Sequence, residues 1–133
     1  MGWVAENRSW FDPYVRKIAD LVGLRDWLID LDDALPGEGA LAECEPTYGR
    51  RHAVMRFAPE VNPAELRNTV VHECIHCHFA LIDWNRNSIQ GVVGTPVWIT
   101  WDGAYSDAKE LAIDAIATAW AASLPLPEPP GGA

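Results

Sequence analysis

Apolar side chains between residues 10 and 22 fall at Tyr14, Val15, Ile18, Leu21 and Val22, spaced by three and four. That period predicts a helix with one buried face, and Pro13 fits its first turn. The short apolar run 27–31 reads as a strand. Runs 41–48 and 52–58 flank Gly49-Arg50-Arg51 and read as the arms of a hairpin. In the second arm Ala53, Met55 and Phe57 alternate with Val54, Arg56 and Ala58. Arg56 on one side of that alternation predicts an edge strand with one partly wet face.

The clearest boundary follows. Asn62-Pro63-Ala64-Glu65 places an N-cap residue, a proline at the first helical position and a glutamate at the third. A helix from 63 to about 84 is expected, stopped by Asn85-Arg86-Asn87-Ser88. Residues 91–101 are apolar with two glycines and one proline, which predicts irregular chain or a short strand pair. A last helix is expected from Ser106 or Asp107 through Ala121, ended by Leu124-Pro125. The result is an α+β domain over 1–124. The Pro/Gly-rich tail 125–133 can hold neither a helix nor a central strand, and is either disordered or an extended strap.

Composition narrows the classes. The chain has 133 residues, 49% of them hydrophobic, so it can fill one core and is not disordered throughout. Nineteen acidic against ten basic residues give a formal charge of −9. Phosphate repels such a chain, so neither nucleic acid nor an anionic membrane is an expected partner. The first ten residues have no signal-peptide pattern, and no apolar run approaches the roughly 18 residues of a membrane span. Three cysteines without framework spacing fit reduced thiols and a cytoplasmic location. Nothing in the sequence indicates the oligomeric state.

The chemical signal is His72-Glu73-Cys74-Ile75-His76 inside the capped helix. At roughly 100° per residue the two histidines stand about 40° apart on one face, one turn from each other. Two imidazoles so spaced can reach one Zn²⁺ ion, and Glu73 beside them can take a proton from its water. Cys74 and Cys77 point too far round the helix to join that ion and read as core residues. His78 shares the face of Cys74 and reads as structural. Cys44 is a remote candidate for an inhibitory thiolate.

A third ligand is required. The metzincin extension fails, because Phe79 and Ile82 stand where Gly and His are needed. The last helix offers Glu110 and Asp114, one turn apart in a stretch otherwise rich in Ala, Leu and Ile. A carboxylate pair there is costly to bury unless it meets a cation or a histidine. Two local readings compete: Glu110 as a capping-box partner of Asp107, and Asp114 as a plain surface residue.

These residues resemble a gluzincin, the thermolysin-type division of zinc peptidases, and its minimal members in particular. The resemblance covers about residues 50–120 and implies a zincin-like fold: N-terminal helix, small mixed or antiparallel sheet with an edge strand, active-site helix and C-terminal glutamate helix. It implies one zinc ion on His72, His76 and Glu110, with Glu73 as general base. Asp114 would receive the ring N–H of His72. The spacing from His76 to Glu110 exceeds that of thermolysin. The implied activity is hydrolysis of a peptide or protein substrate laid along the edge strand, residues His52, Ala53, Val54, Met55 and Arg56. Tyr105 is the first candidate for the oxyanion donor, with Tyr48 or Arg50 behind it, and Trp98 and Trp101 as cleft walls or packing. Two other readings stand beside this one. One is a zinc-binding zincin-fold regulator or interaction module that cuts nothing, its cleft covered by the tail. The other is a SprT-type protease, which wants a histidine as third ligand and which the acidic charge opposes.

Overall fold

The computed structural model describes residues 2–58 and 62–130. Helix α1 (Trp3–Leu21) starts well before residue 10. Its added turns are held by Asn7, which donates to the Trp3 carbonyl at 2.8 Å and accepts from Trp10 Nε1 at 2.9 Å. Trp3 also packs edge-on against Phe11, with centroids 4.9 Å apart. Pro13 therefore lies inside the helix and forgoes one backbone bond, a cost that this aromatic packing offsets. The helix ends at Gly23, whose φ of +88° lets the Leu24 N–H return to the Ala19 carbonyl at 2.8 Å.

Strands β1 (Leu28–Leu31), β2 (Ala42–Pro46) and β3 (His52–Phe57) form a mixed sheet in the order β1-β3-β2. β3 runs parallel to β1 and antiparallel to β2. This corrects the edge-strand expectation. His52, Ala53, Val54, Met55 and Arg56 lie in the central strand, with both sides of their backbone already paired, so no peptide can add there. The alternation had a different cause. Arg56 sits on the wet face of the sheet, reaching Asp32 at 3.0 Å, Glu43 at 3.3 Å and Glu45 at 3.0 Å on the flanking segments. Ala53, Met55 and Phe57 on the other face are buried. One wet face is the mark of a covered sheet as much as of an edge.

Helix α2 (Pro63–Ser88) begins where the cap predicted, with Asn62 Oδ1 accepting from the Ala64 and Glu65 amides. It runs past 84 to Ser88. Helix α3 (Thr95–Ala121) begins about three turns before Ser106. Pro96 is its start signal, while Val97, Ile99, Thr100 and Gly103 are poor helix formers that disguised it. Asp107 is thus mid-helix, and the capping-box reading of Glu110 is removed.

One face of the sheet packs on α1 and α2, where Phe11 meets Phe57 edge-on at 5.0 Å. α3 adds Ile113, Ala117 and Ala121 to the same core. Beyond α3 the chain is an extended strap up to Pro130. Tyr14 Oη donates to the Pro125 carbonyl at 2.9 Å, Arg67 donates to that of Leu124 at 3.0 Å, and Pro127 is buried. Residues 131–133 of the tail lie outside the described residues. No helix among them is long and apolar enough to cross a membrane.

Candidate metal centre

α2 and α3 lie antiparallel, as their polar pairs show. His72 meets Asp114, His76 meets Glu110, Asp83 meets Lys109 and Arg86 meets Asp102. The long interval between His76 and Glu110 is therefore a helical hairpin that extends past the site, closed by a short turn at 89–94.

The structure brings together the residues that spacing singled out. His72 Nε2 and His76 Nε2 are 3.3 Å apart. Glu110 places Oε2 3.4 Å from the first and Oε1 3.3 Å from the second. Three ligand atoms around a tetrahedral ion with bonds of about 2.0–2.1 Å stand about 3.3–3.4 Å apart. Each imidazole meets a different oxygen of Glu110 at about that edge length, and the three residues form a group able to hold a metal ion.

Protonation points the same way. His72 Nδ1 lies 2.8 Å from Asp114 Oδ1, which takes its ring hydrogen. The Nε2 of His72 then faces Glu110 Oε2 and His76 Nε2, the side on which a cation shared by the three residues would sit. Burial lowers the pKa of His76, against the opposing pull of Glu110, and favours the neutral ring that a metal needs.

Glu73, adjacent in sequence, is 5% exposed. Burial, helped by Glu110, Glu43 and Asp114, pushes its carboxyl up to about 8. A divalent cation at the trio would oppose that shift. Beside it opens a cleft of about 290 Å³ lined by Leu41, Ala42, Asn68, Thr69, His72, Glu73 and Asp114. A roomier cleft of about 550 Å³ near Trp27 and Trp84 contains none of the trio, and chemistry rather than size identifies the site.

Other candidate residues are engaged away from this cleft. The Tyr105 hydroxyl donates to Asp83 at 3.0 Å and its ring stacks on Trp101, so it is committed away from the histidine pair. Burial, together with that bond, pushes the phenol up to about 12. Tyr48 packs against Trp84, and Arg50 lines the roomier cleft. Trp98 and Trp101 pack on each other at 5.9 Å instead of walling the site. Cys44 faces Cys77, with sulfurs 3.7 Å apart, and that contact together with burial drives its thiol pKa far up, away from thiolate chemistry. Cys74 and Cys77 are core residues, and His78 Nε2 donates to the Val22 carbonyl at 2.7 Å. Sequence reasoning passed over Asn68 and Thr69. Their position one turn before His72 was the available signal.

No family model, no curated protein and no solved structure matches the chain.

Proposed function

We propose that this chain is a zinc-dependent metallopeptidase of the gluzincin kind, acting on a peptide or protein substrate. The observation that carries the reading is the convergence of His72 Nε2, His76 Nε2 and the Glu110 carboxylate, whose closest approaches are 3.3 Å between the rings and 3.4 and 3.3 Å from each ring to its own oxygen of Glu110. Two neutral nitrogens and one carboxylate suit a single zinc ion with a fourth position left for water. Bound there, the ion supplies an acidified water and polarises a carbonyl.

The chain's own residues supply the rest. Glu73 holds the water's proton on its carboxylate and passes it to the leaving amine nitrogen. Asp114 keeps the Nδ1 hydrogen of His72 in place, so that Nε2 points its lone pair at the ion. Asn68 and Thr69 offer polar contacts to a substrate carbonyl in the cleft. Tyr105 and Lys109, both bonded to Asp83, lock the register of α3 on α2 and so position Glu110.

The substrate strand runs along β2 in place of β3. β2 pairs only with β3 among the described residues and lies beside α2, and Leu41 and Ala42 border the cleft. Pro46 ends the usable edge, because it has no N–H to donate.

The test is zinc content together with cleavage of an unstructured protein by wild type and Glu73→Gln. Zinc in both with cleavage by wild type alone supports the reading. Zinc in both with cleavage by neither assigns the chain to the non-proteolytic zinc-binding modules. Absence of zinc from both removes the proposal.

A further inference from the structure

The polarity of α3 is inverted relative to an ordinary surface helix. Four of its five charged residues, Asp102, Lys109, Glu110 and Asp114, engage partners on α2. Toward solvent it shows Val97, Trp101, Ala104, Ala108, Leu111 and Ala115, and the series continues at 118 and 122. The steps alternate four and three, every position is exposed, and none carries a charge. Leu111 is 72% exposed and Val97 59%. Inside the molecule the helix is thinly held, since its buried residues Ile113, Ala117 and Ala121 all fall near its C-terminal end. The part before Ile113 buries no side chain, and the uncharged strip runs along nearly the whole helix.

From this we infer that the outer face of α3 is a homodimer seam, on which the α3 helix of a second copy packs. The four-three spacing is the repeat by which two helices supercoil, with alanines allowing close approach and Trp101 and Leu111 as the larger knobs. A two-fold axis needs only one self-complementary patch, and this strip supplies it. The strip itself brings no like charges face to face, and the net charge of −9 on each copy weakens the pairing most at low salt.

Area sets the expected strength. Twenty-seven residues give a helix about 40 Å long and about 10–12 Å wide, so each partner would cover about 500 Å². The total of about 1,000 Å² is at the lower limit for a specific interface, so a reversible dimer is expected in place of a permanent one. This inference does not depend on zinc or on peptidase activity.

Sedimentation equilibrium of the full chain from low to high micromolar concentration tests it, using wild type, Leu111→Met, Leu111→Glu and Ala104→Glu, with circular dichroism as the folding control. The expected result is a concentration-dependent dimer for wild type and Leu111→Met. Both glutamate variants should fold and dissociate at least about tenfold more readily. A wild-type chain that stays monomeric overturns the proposal, whatever else covers the strip. So does a folded pair of glutamate variants that dimerise as well as wild type.

Discussion

Asp114 touches no proposed metal directly, and its substitution probes whether the cluster behaves as a metal site. Its Oδ1 lies 2.8 Å from His72 Nδ1, and its side chain is 65% exposed. Partners of this kind are worth roughly 10–100-fold in metal affinity. Solvent around an exposed carboxylate weakens its pull on the imidazole, so the lower end applies here. Asp114→Ala should weaken zinc binding about tenfold, equivalent to about 1.4 kcal/mol. Asp114→Asn should fall between the two, because its amide oxygen can still accept the Nδ1 hydrogen while the charge is gone. Competition with a chromophoric chelator at neutral pH measures all three proteins, and the fold should be unaffected because the side chain is exposed. Equal affinity across the series would refute the argument, since His72 would then not depend on Asp114 for its tautomer.

Other consequences follow from the scaffold. Phe57→Ala empties a site that is 1% exposed and deletes the edge contact with Phe11, so it should cost about 3–5 kcal/mol in urea unfolding. Gly23→Ala forces a left-handed backbone on alanine and brings its Cβ to 3.4 Å from His78 Cε1, so a loss of about 1–2 kcal/mol is expected in the same assay. The backbone N–H groups after Asp32 and the Arg56 guanidinium hold the Asp32 carboxyl below its ordinary range. A depressed carboxyl stabilises the fold above its unfolded pKa and stops doing so as pH falls through the folded one. Melting temperature against pH should therefore flatten below about pH 4 in Asp32→Asn relative to wild type.

What could be read in advance was local. The start of α2 needed only Asn62-Pro63 and a capping oxygen, and the histidine pair needed only the helical period. That Glu110 meets His76 was not in the spacing, which defines each helix face but not which helices pack together; the resemblance to the gluzincins supplied it. β3 was misjudged because a strand's neighbours are not in its own residues. Arg56 looked like an edge signal, while its real partners, Asp32, Glu43 and Glu45, come from segments on either side. The first half of α3 was missed because β-branched residues and Gly103 have weak helix propensity there, and the polar ties to α2 override it. Tyr105 was misplaced in consequence. Once α3 starts at Thr95, that tyrosine is mid-helix opposite Asp83 and not at the approach to the site.

X-ray absorption at the zinc edge, on wild-type protein loaded with one equivalent of zinc, addresses the central claim most directly. The account expects only nitrogen and oxygen neighbours at about 2.0–2.1 Å, with an imidazole signature that His72→Ala diminishes. Sulfur at about 2.3 Å would place the ion on the cysteines instead and contradict the account, as would a protein that retains no zinc.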